Sequence, residues 1–494
     1  MGNGKSVPLD TDPRCETLAP IWGPFVDAFV DTLHAKGGAV HPPPPRELRR
    51  GESRGRRASD GDADDAAKRL AEAHALRSPG SPGSVFRPAA ERVVAIGDLH
   101  GDLNKATRAF RAGGLIDSHG KWIGGATVAV QVGDQLDRGG DEVAILYMLE
   151  RLRKEARDAG GELIVMNGNH ETLNVAGRFR YAFEPGIEDF RRWRGRQLLG
   201  AAMKAKCGEK PGGCAIVGAA AAAAAIDRKA EKNGEPRIES RGRSGNAPPP
   251  GSAPGRMYAD TGPGSTMPRL AALAPGGPMA KRFLAHQPVV VAVGSTLFAH
   301  GGVLPHHVQY GLERINQETS EWIRGDAKPG PPPVHVSGGR SVVWARDYSW
   351  PQRHKCDCGV LRQTLDGLPG IDRVVVGHTI QQPEGVNAAC DGRVLRVDVG
   401  MSEGCGGSEP EVLEILRDGA EIARLRWDCK GGRAVREPVT GSLGATATTG
   451  VASVAEAGVK PPEEPVNASK LDEARVFSWN RDYKSGWRRR LSTI

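Results

Sequence analysis

Polar side chains that can bind metal ions or phosphate follow several short apolar runs of the sequence. In "LIVMNGNHET", residues 163–172, the apolar run leads directly into Asn169 and His170. The same change from apolar to polar residues ends the other runs, at Asp98 and His100, at Asp134, Asp137 and Arg138, and at His300, Arg346 and His378. Because loops at strand ends hold binding groups on a rigid sheet, we expect these side chains to share one site.

The residue types in this set indicate a site for two metal ions. Carboxylates, imidazoles and one amide oxygen, without a thiolate, suit Mn, Fe or Zn. One aspartate can bridge two ions about 3.5–4 Å apart, the separation used in the hydrolysis of phosphate esters. Such a pair would lower the pKa of a shared water and direct the resulting hydroxide at phosphorus, while two arginines bind the phosphate oxygens.

Each residue of the set also has an ordinary structural explanation. Asp98 could cap a helix predicted at "DLNKATRAFRAGG", and Asp134 or Asp137 could cap one predicted at "DEVAILYMLERL". A single histidine is more often a hydrogen-bonded core residue than a ligand, and Arg138 and Arg346 could lie on the surface. These separate explanations do not account for the joint pattern, which favours the functional interpretation.

The elements that position these residues are predicted between about residues 89 and 430. Short β-branched runs alternate there with helical patterns, and the runs predicted as strands are "RVVAIGD", "TVAVQVGD", "ELIVMNGNHE", "VVVAVGSTLFAHGG", "RSVVWARD", "DRVVVGHT", "VLRVDVG" and "EVLEILRDG". This alternation predicts an α/β domain. A polyalanine run and "GNAPPPGSAPG", within about 205–255, predict a low-complexity surface insertion.

An amphipathic helix is predicted at residues 15–34, ahead of this domain. Ile21, Phe25, Phe29 and Leu33 recur at spacings of four, which places them on one helical face. We expect that face to dock on the main domain rather than on lipid.

The remaining segments are rich in residues that do not build a core. The chain has 66 glycines and 36 prolines among 494 residues, and they concentrate in particular stretches. Residues 35–88 are predicted to be a disordered linker, and residues 431–494 a mostly disordered tail.

The N-terminal tail, residues 1–14, begins "MGNGKS" and matches a pattern for myristoylation of Gly2. One acyl chain binds membranes only marginally, so a second signal would be needed. Palmitoylated Cys15 could supply it, as could the basic residues Arg46, Arg49, Arg50, Arg54, Arg56 and Arg57. The alternative is a solvated basic tail. We expect a cytoplasmic protein that would associate with membranes if its N-terminal tail were acylated.

Composition excludes several classes of protein. The net charge is +8, but much of the excess lies in residues 46–57 and in the final "GWRRRLSTI", so no specific nucleic-acid binding is predicted. No apolar run reaches the roughly 18 residues of a membrane span, and the start lacks a secretory hydrophobic centre. Four cysteines could form disulfides or hold zinc, but reduced thiols are the default expectation for Cys356, Cys358, Cys390 and Cys405.

Five motifs in this order, "GDLHG", "GDQLDRG", "GNHE", "HGG" and "GHT", resemble the signature of the phosphoprotein phosphatase family of calcineurin-like metallophosphoesterases. "FVDAFVDTL", "GLERIN", "HKCDC" and "VDVGMSEGC" make the chain similar to the Shewanella-like protein phosphatases, in particular their second plant and algal subtype. The resemblance covers about residues 15–425. It implies two mixed β-sheets packed face to face with helices outside, and hydrolysis of phosphoserine and phosphothreonine in phosphoprotein substrates.

The resemblance also implies a role for each site residue. The first metal would be held by Asp98 and His100, Asp134 would bridge, and the second metal would be held by Asn169, His300 and His378. His170 would be the general acid, oriented by Asp137, and the phosphate would be bound by Arg138, Arg346 and Asn169. The implied cofactors are two divalent metal ions, with Mn expected to serve in vitro.

One loop departs from the larger eukaryotic members of the family. They carry a Ser-Ala-Pro-Asn-Tyr loop where this chain has "DVGMSEGCGG". The difference implies weak sensitivity to natural toxin inhibitors and leaves substrate choice open. Two alternatives therefore stay open, a phosphoesterase for small phosphoesters or dinucleotide polyphosphates and, with less support, an inactive phosphate-binding scaffold. The sequence does not indicate an oligomeric state.

Overall fold

The computed structural model of the protein describes residues 13–34, 85–205, 264–327, 330–428 and 433–439. Nearly all of the predicted insertion, most of the predicted linker and tail, Gly2 and the arginine-rich segment lie outside the described residues. Myristoylation of Gly2 therefore stays a prediction. None of the helices in the described part of the chain combines the length and apolar character needed to cross a bilayer.

The strands of the described residues, in chain order, are β1 (Phe86–Arg87), β2 (Arg92–Ile96), β3 (Val128–Gln131), β4 (Glu162–Val165), β5 (Val290–Val293), β6 (Thr296–Ala299), β7 (Arg373–Val376), β8 (Asn387–Ala389), β9 (Val394–Arg396), β10 (Glu411–Leu416), β11 (Glu421–Asp428) and β12 (Arg433–Pro438).

The α-helices are α1 (Pro13–Thr32), α2 (Leu103–Ala112), α3 (Glu142–Asp158), α4 (Asn169–Val175), α5 (Glu184–Ala205), α6 (Met267–Leu273), α7 (Pro278–Arg282), α8 (Pro305–Tyr310), α9 (Leu312–Arg324) and α10 (Cys358–Asp366).

Two mixed six-stranded sheets form the centre of the fold, with strand orders β1-β5-β6-β7-β9-β8 and β12-β11-β10-β2-β3-β4. Buried side chains from both sheets, including Ile96, Val130, Phe298 and Val375, belong to one hydrophobic cluster. The sheets therefore pack face to face, which confirms the predicted sandwich. Burying these apolar side chains contributes roughly 1.5–3 kcal/mol each.

Parallel strands bring the predicted site residues to common edges. In one sheet β2, β3 and β4 run parallel, and in the other β6, β7 and β9 do. Strand β7 and its neighbours are buried on both faces, which explains the continuous β-branched run "RVVV" at residues 373–376. Each parallel set ends at one edge, where the polar loops follow.

The sheets extend beyond the predicted domain bounds of 89 and 430. At the N-terminal side, β1 pairs in parallel with β5, with Phe86 opposite Ala292. At the C-terminal side, β12 pairs antiparallel with β11, with Ala434 opposite Trp427. Both are edge strands with weak sequence signals, because one has two residues and the other, "RAVREP", has three charged residues and a proline among six.

Helix α1 docks on α5, but not through the face that its sequence suggests. Val26 and Val30 are the buried residues, with 0% and 4% exposure. Phe25, Phe29 and Leu33, predicted to face the domain, are 56%, 36% and 37% exposed. The prediction of the apolar face was therefore wrong.

The close approach of α1 to α5 explains this difference. A Cβ added at Gly200 of α5 would lie 2.7 Å from Cγ2 of Val30, so the contact has room for valine and not for phenylalanine. The indole Nε1 of Trp22 also donates to the carbonyl of Met203 at 2.9 Å. The neighbouring helical face, with Trp22, Val26 and Val30, therefore makes the contact.

Two further expectations were wrong. The segment "RSVVWARD" forms turns rather than a strand, because the amides of Trp344 and Ala345 both donate to the carbonyl of Ser341. Cys358 and Cys390 are joined in a disulfide, since α10 and the turn after β8 bring their Cα atoms within 5.3 Å. The other two thiols, Cys356 and Cys405, are free.

Candidate metal centre

The predicted site residues come together at the facing edges of the two sheets. A cavity of about 330 Å³ is lined, among others, by Asp98, His100, Asp134, Arg138, Asn169, His170, Arg346 and His378. His300 and Asp137 lie fully buried behind this lining. The residues reach the cavity from the loops after β2, β3, β4, β6 and β7, and Arg346 reaches it from a turn.

The helix caps are made by other residues. Asp102, rather than Asp98, caps α2, with its carboxylate accepting from the amide of Lys105 at 3.0 Å. Asp141 occupies the cap position of α3. Capping therefore does not explain Asp98, Asp134 or Asp137.

Unusual backbone geometry concentrates in this site. His100, Asp134, Asp137, Arg138 and His378 all have positive φ angles, between 45° and 68°. A residue other than glycine in such a conformation costs of order 1–3 kcal/mol and persists only where its surroundings enforce it. Four of these five residues line the cavity, and the fifth, Asp137, lies directly behind it.

Two glycines of the sequence motifs let carboxylates approach the backbone. A Cβ added at Gly168 would lie 2.1 Å from Oδ1 of Asp134, and one at Gly377 would lie 2.6 Å from Oδ1 of Asp98. Any larger residue would displace these carboxylates. The glycines of "GNHE" and "GHT" are therefore required by the packing of the site itself.

Backbone carbonyls fix the orientation of two histidines. Nδ1 of His100 lies 3.0 Å from the carbonyl of Leu136, and Nδ1 of His300 lies 3.0 Å from that of Val132. Each Nδ1–H therefore donates to a carbonyl, which leaves each Nε2 with a free lone pair. Those Nε2 atoms lie 3.6 Å and 3.2 Å from Oδ2 of Asp134, so this carboxylate lies between two ligand-type imidazoles.

The donor set fits divalent cations. Nε2 of His300 and Oδ1 of Asn169 face one another at 2.8 Å, although both are acceptors in this arrangement. Nε2 of His378 is buried and has no hydrogen-bond partner within the described residues. Burial raises the pKa of Asp98 and Asp134, because their charged forms lack compensation. Cations at these atoms would satisfy all of these groups.

Burial also keeps the ligand histidines in the form that binds metals. The pKa values of His100 and His378 lie well below the ordinary value, first because the rings are desolvated and then because neighbouring histidines oppose their charge. Both rings are therefore neutral at physiological pH. A neutral imidazole with a free lone pair is the form that coordinates a metal ion.

The predicted acid and its orienting carboxylate are in direct contact. Nδ1 of His170 lies 2.6 Å from Oδ2 of Asp137. The other oxygen of Asp137 accepts from Nδ2 of Asn174 at 3.0 Å and from Nη2 of Arg269 at 2.9 Å. Both oxygens are thus engaged, and the imidazole ring has one supported orientation.

Arg269 and Glu142 are site-supporting residues that sequence reasoning missed. Both are fully buried and form an ion pair, with Nη2 of Arg269 lying 2.6 Å from Oε2 of Glu142. Oε2 of Glu142 also accepts from the amide of Asp137 at 3.0 Å. Neither residue follows a strand, so the pattern that identified the others carries no signal for them.

Asp398 was also missed, although a signal for it existed. Its carboxylate is 3% exposed, lines the cavity and accepts from the amide of Gly400 at 2.8 Å. It adds to the negative charge around Asp98 and contributes to the raised pKa of that residue. The apolar run "VLRV" ends at Asp398, the same pattern that identified the other residues.

The two predicted phosphate-binding arginines both line the cavity. Nη2 of Arg138 lies 3.5 Å from Nε2 of His170, and its Nη1 lies 3.4 Å from Sγ of Cys405. Nη1 of Arg346 donates to Oγ1 of Thr379 at 2.6 Å. An anion held by Arg138 would therefore lie beside His170.

Fold and site together define a calcineurin-like metallophosphoesterase, and a model of the calcineurin-like phosphoesterase family matches residues 91–213. The family implies a centre of two metal ions. Over 328 residues the chain is 46% identical to Shewanella-like protein phosphatase 2 of Arabidopsis thaliana, covering 66% of this chain and 76% of that protein. This chain belongs to the Shewanella-like protein phosphatase family.

Two other similarities accompany this match. The chain is 25% identical over 343 residues to Shewanella-like protein phosphatase 1 of Plasmodium berghei, covering 68% of this chain and 74% of that protein. The crystal structure of a cold-active protein-tyrosine phosphatase from a psychrophilic Shewanella species is 18% identical, with a TM-score of 0.46. That similarity covers 74% of this chain and 84% of the other.

Proposed function

We propose that this protein hydrolyses phosphoserine and phosphothreonine monoesters in protein substrates. The observation that carries the proposal is the pairing of His170 with Asp137 beside Arg138, next to a donor set for cations. Family membership at 46% identity supports protein substrates over small phosphoesters and dinucleotide polyphosphates. All the ligand and acid positions expected for an active enzyme are present, which argues against an inactive scaffold.

The metal-binding roles are part of this proposal. Asp98 and His100 would hold one divalent ion, Asn169, His300 and His378 the other, and Asp134 would contact both. Oxygen and imidazole donors of this kind suit Mn, Fe or Zn, and Mn is the choice for reconstitution. When bound, the ions would neutralise charge on the phosphate ester and lower the pKa of a water.

The protein's own side chains would bind the substrate and move one proton. Arg138 and Arg346 would bind phosphate oxygens, and Asn169 would support them. His170 would donate the Nε2 proton to the leaving serine or threonine oxygen. Asp137 would keep the Nδ1 proton in place and stabilise the charged ring, as a carboxylate does for other catalytic histidines.

A substrate panel tests this proposal. Purified protein reconstituted with Mn²⁺ is assayed for phosphate release from phosphoserine, phosphothreonine and phosphotyrosine peptides, from small phosphoesters and from dinucleotide polyphosphates. We expect kcat/KM to be highest for the phosphoserine and phosphothreonine peptides. Rapid cleavage of dinucleotides with no release from peptides would contradict the proposal, and so would a protein inert on the whole panel.

A further inference from the structure

A second cavity, of about 260 Å³, lies beside the candidate metal centre. One wall is the loop that follows α4, including Arg178 and Arg180, and the other is the turn around Ser337 and Gly338. Trp344 lines both cavities, so the two adjoin. A group extending from a phosphorylated residue at the metal centre can therefore reach the second cavity.

The second cavity carries positive charge that no aspartate or glutamate of the described residues neutralises. Arg178 and Arg180 are exposed, and neither forms an ion pair with a carboxylate within the described residues. None of the residues that line this cavity in the described part of the chain is an aspartate or glutamate. The guanidinium of Arg180 lies over the ring of Tyr181, 4.6 Å from its centroid, which leaves its hydrogen-bond donors free.

Backbone connections fix the position of the loop that carries the two arginines relative to the candidate metal centre. It continues directly from α4, whose first residues are Asn169 and His170. The amide of Arg178 donates to the carbonyl of Leu173 at 2.9 Å, and the amide of Arg138 donates to that of Tyr181 at 3.1 Å. These hydrogen bonds tie the arginine-bearing wall of the cavity to the elements that carry the proposed acid and Arg138.

The opposite wall leaves room for a peptide backbone. A Cβ added at Gly338 or Gly339 would meet no atom within 4 Å. The apolar residues Leu173 and Val336 also line the cavity. The cavity thus combines an open side, apolar lining residues and two guanidinium groups that form no ion pair within the described residues.

We propose that this cavity binds an anionic side chain next to the phosphorylated residue of a protein substrate. The anion is either a carboxylate or a second phosphate, because guanidinium groups bind both with paired hydrogen bonds. The inference rests on the proposed protein phosphatase function and specifies its substrates. Arg178 and Arg180 determine specificity and take no part in the chemical step.

The test compares peptides that differ only in the charge beside one phosphoserine. One peptide has neutral neighbours, a second set has a glutamate one to three residues before or after the phosphoserine, and a third set has a second phosphoserine there. The kcat and KM values are measured for the wild-type protein and for the double variant Arg178→Gln/Arg180→Gln. The control variant is Arg157→Gln. Arg157 lies in the last turn of α3, a helix of 17 residues that begins beside the site and is roughly 25 Å long.

We expect wild-type kcat/KM to favour the best anionic peptide over the neutral one by about two- to fivefold, mainly through a lower KM, the size of effect expected for partly solvated ion pairs. The ratio should fall to about 1 in the double variant and persist in Arg157→Gln. Each ratio compares two peptides on the same protein preparation, so a smaller fraction of folded enzyme lowers both kcat/KM values equally and leaves the ratio unchanged. Salt should reduce the wild-type ratio by screening.

Two results would overturn the inference while leaving the proposed function in place. One is equal wild-type kcat/KM on neutral and anionic peptides, and the other is a preference that survives in the double variant. Phosphate release from none of the peptides would overturn the proposed function together with the inference. A preference for glutamate and a preference limited to the second phosphoserine both support the inference, and they distinguish the two sources of the anion.

Discussion

Arg269 supports the proposed acid from a distant part of the sequence. Its guanidinium contacts Asp137, Glu142 and Asn174 at once, and all of these groups are fully buried. Asp137 in turn contacts His170. The orientation of His170 therefore depends on the planar guanidinium of Arg269, whose several N–H donors a lysine cannot reproduce.

The variant Arg269→Lys should lower kcat by about 10- to 100-fold, because small misplacements of a catalytic group have effects of this size. The KM for a phosphopeptide should change less than about twofold, since Arg269 does not line the substrate cavity. Stability should fall by about 1–3 kcal/mol, because lysine keeps the positive charge but leaves some of the buried acceptors of Asn174, Asp137 and Glu142 without a donor. Steady-state kinetics and urea unfolding measure the three quantities.

The matched control is Arg282→Lys. Arg282 also binds two carboxylates, of Asp31 and Glu150, but at partly exposed positions away from the site. Its replacement should cost at most about 1 kcal/mol and leave kcat unchanged. An equal loss of kcat in both variants, or a change confined to KM in Arg269→Lys, would argue against the positioning role.

The site residues show how far sequence reasoning reaches at the scale of single residues. The pattern of polar residues after apolar runs identified the candidate metal ligands and the two arginines of the cavity, and applied evenly it would have included Asp398. It could not identify Arg269, because an arginine within "MPRLAAL" looks like an ordinary solvent-exposed helix residue. Its burial depends on the carboxylates of Asp137 and Glu142, which lie 132 and 127 residues away in the chain.

At the scale of elements, the docking of α1 illustrates a different limit. Two adjacent faces of this helix are apolar, and on each face the apolar residues are spaced four apart. Hydrophobicity favours the face with Phe25 and Phe29, whereas the space next to Gly200 admits only the face with Val26 and Val30. Helix formation follows from local periodicity, but the choice of face depends on the shape of the partner helix.

His34, just after α1, makes the docking of this helix sensitive to pH. Burial, reinforced by the nearby charge of Arg196, lowers its pKa from 6.5 to about 4. Nη1 of Arg196 lies 3.1 Å from Nδ1 of His34, and the ring stacks on Tyr147. Asp31, which opposes this effect, and Arg282 are the other charged groups that face it.

The docking of α1 should therefore become less stable as the pH falls from about 6.5 to about 4. If the helix undocks, His34 regains its ordinary pKa near 6.5. Between pH 6.5 and 4 the docked state therefore binds fewer protons than the undocked state, and protonation of His34 opposes docking. Docking is fully favoured only above about pH 6.5. Hydrogen exchange of the α1 amides, corrected for intrinsic pH dependence, should show falling protection from pH 7 to pH 5. The variant His34→Gln, which cannot be protonated, should show a flatter profile; identical slopes in the two proteins would contradict the assignment to His34.

At the scale of the whole molecule, two sheets meet so that the ends of their parallel strands face one cavity. One sheet contributes Asp98, Asp134 and Asn169, and the other contributes His300 and His378. The alternation of strands and helices allowed this arrangement to be predicted. The edge strands β1 and β12 and the turn that carries Arg346 depend on tertiary contacts, and local pattern did not identify them.

The most direct test of the account is the metal content of the protein. Protein reconstituted with Mn²⁺ and freed of excess metal is analysed by elemental mass spectrometry, with circular dichroism as a control for folding. We predict about two equivalents of Mn per wild-type chain, the number used by two-metal phosphoesterases, and at most about one in folded, inactive Asp134→Asn. A wild-type protein that retains no metal while hydrolysing phosphopeptides, or an Asp134→Asn protein that retains both ions and full activity, would contradict it.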